Sequence, residues 1–598
     1  MRRRLIITIA IILFIVSGNN KTLVAQILPP ESASNWKSRK FMIKSDHALA
    51  TPFEKSNGKL SASPKELVQY LELLKANPLI KVIEISRSPG NQPVFAVIAS
   101  TQNDFILNKK SDKPLLLFQG GIHAGEIDGL DAGLMIMRDL GSGRLRKLLE
   151  KVNVIFIPVI NPDGHARLST SNRINQRGPE TMGWRSNSLN QNLNRDYMKI
   201  DCPEIQSVIK LINEYKPDMY VDIHVTDGTD YQYDITYGWN PVEGYSPGIS
   251  HWMNQVIRKS VDLALQNEGH VPGPLIFQID SEKPEKGITD YVFAPRFSNA
   301  YGDAIHLPSI LVENHSLKSF DRRVCGTYVF LEALLNTLAN HYTDLRTVRN
   351  ETMQANEKEL IVKRSMNEKA ADSLMFKGVE IQKRTSALFN YEYSSWNGKA
   401  SQIKIPVFTN SKVQKKVPIA NRYIVPAQYA EVIEKLKMHG IEFTYSDTEL
   451  SVALVSYKLK NVKSSGKLPF QGRYRLETEV EEVAEKRSFP AGSAIVETSQ
   501  EKGLLVAMLL EPEFEDSFFS WGFFSDCVEL TEYFEIYAMV PLAERMALEN
   551  RELKLEFERD LISNEKLKND PEAQIRWWYE KSEYFDVNYM KYPVGIVR

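Results

Sequence analysis

The sequence has little cysteine, no excess of charge of either sign and no long apolar run after its first residues. Its three cysteines, Cys202, Cys325 and Cys527, are scattered without CxxC spacing, which excludes a disulfide framework and a cysteine zinc site. We expect them to be buried small apolar residues. The formal net charge is -1, and no basic run is interleaved with aromatic residues, so nucleic acid is not an expected partner.

The N-terminus has the three-part form of a secretory signal. Three arginines at positions 2–4 precede an apolar run, residues 5–16, in which Thr8 is the one polar residue, and a polar stretch follows. The run is too short to span a bilayer comfortably. We therefore expect residues 1–25 to be a signal peptide of an exported protein, periplasmic or secreted, with an uncleaved anchor as the alternative. No membrane contact is expected beyond this segment.

The remaining chain is long enough for several domains. Residues 26–60 are rich in Pro, Ser, Asn and Lys and are predicted to be a linker. In residues 61–345, apolar runs without clean alternation are separated by helical patterns, beginning with Ser63–Ala76, which predicts an α/β domain with a sheet covered on both faces. Dense charge predicts a helical connector over residues 346–400. Residues 401–598 are predicted to form an accessory, mainly β domain.

The most informative stretch is KPLLLFQGGIHAGEID, residues 113–128. Its apolar run, Leu115–Phe118, is predicted to be a buried strand that two glycines end. His123 and Glu126 follow, three residues apart. A nitrogen and a carboxylate oxygen at this spacing, on the turn after a strand, can bind one Zn²⁺ from the same side. The HxxE pattern alone is common by chance.

Two further residues end apolar runs in the same way: His224 in DMYVDIHVTDG and Glu313 in PSILVENHS. A lone histidine in an apolar strand is more often a core residue, and a strand-end glutamate can form an edge salt bridge. However, His123, Glu126, His224 and Glu313 all fall at the carboxyl ends of predicted strands, where open α/β sheets bind ligands. We therefore interpret His224 as a third ligand and Glu313 as a base.

A long polar segment between these motifs carries four arginines: Arg173, Arg177, Arg185 and Arg195. Long ordered loops are usually functional. Guanidinium groups suit a substrate carboxylate or a developing oxyanion. The alternative is that the arginines bind carbonyls of their own loop, and we expect this of two of the four.

Five motifs in this order, HAGE, PVINPDG, NLNRD, DIHVTDG and LVENHS, resemble the zinc metallocarboxypeptidase family. The resemblance covers roughly residues 60–340 and implies the carboxypeptidase A-like fold, a mixed sheet with helices on both faces. The protein would be a larger, exported, bacterial-type member with a C-terminal extension. The resemblance implies one Zn²⁺ as cofactor, with His123, Glu126 and His224 as ligands and Glu313 as general base.

The resemblance also implies substrate-binding residues. Asn194 and Arg195 correspond to the pair that holds the terminal carboxylate of a peptide. Arg173 is expected to stabilise the oxyanion as a catalytic residue, with Arg177 as runner-up.

The mobile tyrosine that caps the substrate in this family is expected to be Tyr291, with Tyr301 as a rival. One position departs from the family pattern. Many members carry arginine between the first two ligands, where this chain has Gly125, so a substrate contact used elsewhere is missing. We therefore expect specificity to differ as well.

The expected function is removal of C-terminal residues from peptide or protein substrates, by zinc-activated water with Glu313 as general base. One alternative keeps zinc but changes the substrate: an amidase or deacylase acting on cell-wall peptides or acylated amino acids. A second alternative is an inactive peptide-binding protein, against which the intact set of ligands and base argues.

Overall fold

The computed structural model describes residues 28–598, with gaps at residues 103–104, 106–111, 227 and 356. The predicted signal peptide, residues 1–25, lies outside the described residues. Across the described part of the chain, no helix combines the length and the apolar character that a membrane span requires.

The first nine strands belong to the part of the chain before residue 320. They are β1 (Ile80–Arg87), β2 (Pro93–Ala99), β3 (Leu115–Gly120), β4 (Asn153–Ile157), β5 (Met219–Val225), β6 (Ile235–Gly238), β7 (Pro272–Gly273), β8 (Ile288–Asp290) and β9 (Ser309–Asn314). Eight of them form one mixed sheet in the order β1-β2-β4-β3-β5-β9-β6-β7. Strands β4, β3, β5 and β9 run parallel at its centre.

Helices cover both faces of this sheet because its central strands are apolar on both sides. Leu115 and Leu117 of β3 face one hydrophobic core, and Leu116 and Phe118 face the other. The α-helices up to residue 354 are Pro52–Lys55, Pro64–Lys75, Asp128–Gly141, Pro162–Ala166, Pro203–Tyr215, Pro247–Gln255, Ile257–Asn267, Ser298–Ala304 and Phe320–Gln354. The predicted fold class, a mixed sheet with helices on both faces, is confirmed.

The rest of the chain is rich in strands. They are β10 (Glu359–Ser365), β11 (Asp372–Ser386), β12 (Tyr391–Thr409), β13 (Lys412–Pro418), β14 (Arg422–Val425), β15 (Thr444–Tyr445), β16 (Leu450–Ser464), β17 (Leu476–Phe489), β18 (Ala494–Glu497) and β19 (Gly595–Val597). Six form a sheet in the order β15-β18-β14-β19-β16-β17, and β8 extends the β11-β12 hairpin. β-rich sheets therefore follow the α/β part, as predicted.

Helices also occur in this later part: Ala430–Met438, Gly503–Leu510, Ile536–Glu549, Arg551–Ser563, Glu565–Asn569 and Pro571–Glu580. The last four pack on one another around Met539, Trp578 and Tyr579. We use "C-terminal region" for residues 401–598. It is not a separate body, because residues such as Phe518 and Val496 share one hydrophobic core with Ile205 and Val208 of the helix Pro203–Tyr215.

The predicted helical connector, residues 346–400, is wrong beyond residue 354. The helix ends at Gln354, and the strands β10, β11 and most of β12 follow. Dense charge predicted solvent exposure correctly, since much of the β11-β12 hairpin is exposed. Dense charge did not distinguish a helix from a hairpin, because a two-stranded hairpin exposes charged side chains just as a solvated helix does.

The predicted linker, residues 26–60, is also wrong in its described part. Thr51 caps the short helix Pro52–Lys55 through a capping box with Glu54. Phe53 is fully buried, and Glu54 forms a buried ion pair with Arg138. The segment is polar in composition, but a few buried residues, such as Phe53 and Glu54, pack it against the α/β part. The remaining domain boundaries stay predictions.

Candidate functional site

The predicted site residues follow three adjacent parallel strands of the central sheet. Strand β3 ends at Gly120, and Gly121 takes a left-handed backbone, φ 63°, that turns the chain toward His123. His224, near the end of β5, is paired in register with Glu313 of β9. Because parallel strands present their carboxyl ends at one edge, these side chains meet there.

Three potential ligand atoms converge at this edge. Oε2 of Glu126 lies 3.0 Å from Nδ1 of His123 and 3.1 Å from Nδ1 of His224. One ligand atom from each of the three residues lies within 4.8 Å of the others. All three side chains are buried.

The opposite nitrogen of each histidine is engaged by an oxygen atom. Nε2 of His123 lies 2.9 Å from Oδ1 of Asn192, and Nε2 of His224 lies 2.8 Å from Oδ2 of Asp222. Oδ1 of Asn192 also accepts the backbone N–H of Asn194, which identifies it as the oxygen. In the neutral histidines each Nε2 therefore carries the proton, and each Nδ1 offers its lone pair to the centre.

The arrangement fits a bound cation. Two imidazole lone pairs and a carboxylate oxygen face one another, and three protein ligands of the N, N, O type are those of a catalytic zinc site. Burial lowers the pKa of His123. Burial would also lower the pKa of His224, but Asp222 raises it well above its ordinary value. Burial would raise the pKa of Glu126, but His123 and Arg173 hold it well below its ordinary value. Glu126 is therefore an anionic ligand.

A cavity of about 390 Å³ opens above these residues. Its lining includes His123, Glu126, His224 and Glu313. It also includes Tyr291, which is partly exposed. The wall is otherwise built from uncharged side chains, apart from one arginine: Val225, Thr226, Thr229, Tyr231, Thr236, Leu275, Ile276, Phe277, Gln278, Ser281 and Arg185.

The rival to Tyr291, Tyr301, does not reach this cavity. Its side chain is fully buried, and its hydroxyl lies 2.9 Å from Nδ1 of His439. Tyr291 is therefore the one of the two tyrosines that can touch a ligand in the cavity.

Two arginines reach the same oxygen of Glu126 from different sides. Arg173 and Arg185 each donate from Nη1 to Oε1 at 2.8 Å. The Arg173 side chain is buried and does not line the cavity, whereas the Arg185 side chain is 43% exposed and does. Arg173, predicted to stabilise the oxyanion, thus contacts Glu126 from outside the cavity, and its catalytic role stays a prediction.

The other two arginines of the polar segment have different surroundings. Arg177 donates to the carbonyl oxygens of Leu317 and Pro29, so it binds loop backbone. Arg195 donates to the carbonyl of Asn194 at 2.6 Å and stacks 4.3 Å from the ring centroid of Phe297. Burial and the nearby charges of other arginines lower the pKa of Arg195 to about 10, which marks a place where an anion would be stabilised.

Asn194 is the predicted partner of Arg195. It is buried, and its Nδ2 lies 3.4 Å from Nε2 of His224. Its Oδ1 accepts the backbone N–H of Ser298 at 2.9 Å. Neither Asn194 nor Arg195 lines the cavity itself, so the pair lies beside the histidines at the margin of the site.

Gly125 leaves no space for a side chain. A Cβ atom there would lie 2.4 Å from Cδ of Arg173 and 2.9 Å from the carbonyl oxygen of Gly183. The arginine that many family members carry between the two ligands is therefore sterically excluded here. Arg173, arriving from the polar segment, occupies the adjacent space.

Comparison with known proteins agrees with this geometry. Residues 67–270, which contain His123, Glu126 and His224, match the family model described as zinc carboxypeptidase. The chain carries a zinc carboxypeptidase domain. The predicted enzyme class, a metallocarboxypeptidase hydrolase, is thereby confirmed, and this family is zinc-dependent and acts on peptide or protein substrates. Glu313 lies beyond the matched residues of the carboxypeptidase domain.

Curated proteins similar to this chain include Carboxypeptidase 2 of Trichophyton tonsurans and of Trichophyton rubrum. Each is 21% identical over 443 residues, which cover 71% of this chain and 76% of the relative. Similar solved structures include a metallo-carboxypeptidase from Burkholderia cenocepacia, with a TM-score of 0.34 and 17% identity over 46% of this chain and 68% of that one. Carboxypeptidase A from Helicoverpa armigera has a TM-score of 0.34 and 18% sequence identity, and the match covers 46% of this chain and 73% of that one.

Sequence reasoning did not assign roles to three residues that surround the histidines of the carboxypeptidase domain. Asn192 lies behind His123, and Asp222 lies behind His224. Ser298 donates its hydroxyl to Asp222 at 2.6 Å. The position of Asp222, two residues before His224 on the same face of a strand, was the available signal. No sequence pattern indicated Ser298.

Proposed function

We propose that this protein is an exported zinc carboxypeptidase that removes C-terminal residues from peptides. The observation that carries the proposal is the convergence of three metal-ligand atoms, from His123, Glu126 and His224, beneath a cavity that Glu313 also lines. Three protein ligands leave one position for substrate or water, as in catalytic zinc sites.

His123 and His224, through Nδ1, and Glu126, through Oε2, would hold the metal. When bound, Zn²⁺ supplies a Lewis acid that polarises a carbonyl and lowers the pKa of water to about 7. Asn192 and Asp222 keep each Nε2 protonated and each ring oriented, and such outer partners are a regular part of zinc sites.

Glu313 is proposed as the general base. It is paired with His224 across two strands, so its carboxylate and the ligands are held by the same rigid sheet. The carboxylate takes a proton from attacking water and then delivers it to the nitrogen of the departing amino acid. This transfer needs a carboxylate that is ionised at the start of the cycle.

Arg185 is proposed as the residue that stabilises the developing oxyanion, because it is the one arginine of the four that lines the cavity. Arg195, with Asn194, is proposed to bind the terminal carboxylate of the peptide. In the described part of the chain Arg195 makes no ion pair with a carboxylate, and burial, together with the neighbouring Arg296 and Arg185, lowers its pKa. Tyr291, at the cavity wall, would close over the substrate.

The cavity also suggests a substrate preference. Apart from the catalytic groups and Arg185, its lining is uncharged, with threonines, Leu275, Ile276, Phe277 and two tyrosines. A charged terminal side chain would be desolvated there without a partner. We therefore propose that the enzyme prefers uncharged, apolar or aromatic C-terminal residues.

A peptide-library digest with mass readout, with and without a chelator, tests the function. The expected result is stepwise loss of uncharged C-terminal residues, abolished by the chelator and restored by Zn²⁺. Cleavage restricted to D-amino-acid or γ-linked peptides, or to acylated amino acids, would replace the proposal by the zinc amidase or deacylase. If the protein binds zinc but hydrolyses none of these substrates, the inactive peptide-binding protein is the remaining alternative.

Export is proposed from the basic and apolar N-terminal residues alone. Sequencing the N-terminus of the mature protein after expression in a bacterial host tests it. Cleavage near residue 25 is expected. An intact N-terminus in the cytoplasmic fraction would refute export without affecting the proposed chemistry.

A further inference from the structure

The histidines of the site are oriented from outside by residues whose own segments contact the C-terminal region. Asn192 lies behind His123, and Asp222 lies behind His224. Asn192 is connected in this way to Gln471, and Asp222 is connected to Asp516.

Asn192 is held by the loop that joins β16 to β17. Its backbone N–H donates to Oε1 of Gln471 at 2.6 Å. Packing around this bond is close, since a Cβ atom on Gly472 would lie 2.7 Å from Nε2 of Gln191. Displacement of Gln471 would therefore move Asn192, whose Oδ1 is the acceptor for Nε2 of His123.

Asp222 is held through the segment that enters the helix at Ser298. Ser298 donates its hydroxyl to Asp222 and its backbone N–H to Oδ1 of Asn194. Two residues earlier, Arg296 donates its backbone N–H to Oδ2 of Asp516 at 3.0 Å and its Nη1 to Oδ1 at 2.9 Å. One carboxylate thus binds both the main chain and the side chain of Arg296.

Asp516 is itself rigidly held. It is fully buried in an aromatic run, among Phe514, Phe518 and Trp521, which belong to or border the shared core. A buried carboxylate is tolerated only where it is paired. Arg296 is the nearer partner, at 2.9 Å, and Arg475 lies 3.5 Å away. Although burial would lower the pKa of Arg296, Asp516 raises it, so Arg296 stays charged.

We propose that Gln471 and Asp516 are positioning residues of the catalytic centre, through which the C-terminal region orients both zinc-binding histidines. The proposal rests on the proposed zinc hydrolase function. It gives residues 401–598 a part in catalysis itself, because the hydrogen bonds to Gln471 and Asp516 come from the segments that carry Asn192, Asn194 and Ser298.

Full-length variants at Gln471 test the first contact. Gln471→Glu keeps an oxygen acceptor for the N–H of Asn192, whereas Gln471→Leu keeps the size and removes the acceptor. We expect Gln471→Leu to raise the dissociation constant for Zn²⁺, measured by chelator competition, by about tenfold, and Gln471→Glu to stay near the wild type. Equal zinc affinity in all three proteins would overturn the role of Gln471.

Variants at Asp516 test the second contact. Asp516→Ala removes both bonds to Arg296, and Asp516→Asn keeps one acceptor oxygen. We expect Asp516→Ala to lower the affinity for Zn²⁺ by about tenfold or more and Asp516→Asn to lower it less. Asp516→Ala should also raise KM, because Asn194 shifts as well. The matched control is Glu511→Gln, which alters another buried carboxyl of the same region, bonded to Tyr423 and Tyr457 and to no residue before 401 in the described structure.

The control separates positioning from general destabilisation. Glu511→Gln is expected to leave zinc affinity and KM unchanged; weakening equal to that of Asp516→Ala would overturn the proposal. Zinc affinity also separates this proposal from the proposed function. If the wild type binds zinc and hydrolyses no peptide, the hydrolase is refuted, and the variants still decide the positioning role. If the wild type binds no zinc, both proposals fail.

Discussion

His224 and Glu313 are paired in register on the adjacent parallel strands β5 and β9. A residue proposed to bind the metal and the residue proposed to move the proton are thus neighbours across one pair of strands, although 88 residues of sequence separate them. The sheet holds both without the help of a loop, which is the kind of support that a catalytic geometry needs.

Replacing Glu313 tests the proton-transfer role. Glu313→Gln preserves size and removes the base, so we expect zinc content and unfolding temperature close to the wild type and kcat/KM lower by about 10²–10⁴-fold. The exposed Glu285→Gln serves as the control and should be fully active. Near-wild-type turnover by Glu313→Gln would remove this residue from the mechanism.

The orientation of His224 depends on Asp222. Asp222→Asn weakens the acceptor for Nε2, and we expect zinc affinity, measured by competition with a chromophoric chelator, to fall about 10–100-fold. Asp163→Asn is the matched control, since Asp163 is also buried but accepts from Ser88 and Ser188 instead. An unchanged zinc affinity in Asp222→Asn would show that the histidine is held by its packing alone.

Arg185 and Arg173 share an acceptor atom but are expected to differ in role. Arg185→Ala should lower kcat by about 10²–10³-fold and change stability little, because the side chain is partly exposed. Arg173→Ala should lower the unfolding temperature, because it removes a buried cation that holds Glu126 ionised. Steady-state kinetics and thermal unfolding of both variants decide the assignment, and the reverse pattern would restore Arg173 as the catalytic arginine.

Gly125 is predicted to be intolerant of any side chain. Gly125→Ala places a Cβ against Cδ of Arg173 and the carbonyl of Gly183, and overpacking of this kind costs about 1–3 kcal/mol. Gly228→Ala is the control, since its Cβ would meet nothing within 4 Å. Chemical unfolding measures the free energy of unfolding of both variants. Equal stability of the two variants would mean that the Arg173 side chain can move aside.

Stability is expected to depend on pH through Glu511. Burial raises its pKa to about 7, from 4.5, so between these values the folded protein binds more protons than the unfolded chain. The free energy of unfolding therefore falls as pH rises from 4.5 to 7, by up to about 1.4 kcal/mol per pH unit for this group. Urea unfolding at several pH values should show a shallower decline in Glu511→Gln; parallel curves would contradict the assignment.

Local patterns predicted more of this protein than its composition did. Ser63 and Pro64 correctly predicted the start of the helix Pro64–Lys75, which Ser63 caps together with Glu66. Signals of this kind act over a few residues, because the capping side chain bonds to backbone N–H groups of the same helix. Charge density over residues 346–400 predicted exposure, yet the wrong secondary structure, because exposure does not distinguish a helix from a hairpin arm.

The sequence by itself determined the zinc carboxypeptidase domain and which residues would meet. Apolar runs that end in His123, His224 and Glu313 place polar groups at strand ends, and parallel strands bring their ends to one edge. Only the tertiary structure decided that Arg185, and not Arg173, lines the cavity, and that Gln471 and Asp516 lie behind the histidines. Arg185 bonds to Glu126 across 59 positions, and Asp516 and Gln471 bond to Arg296 and Asn192 across 220 and 279 positions. The last two contacts depend on how the C-terminal region packs on the helix Pro203–Tyr215, which no local pattern encodes.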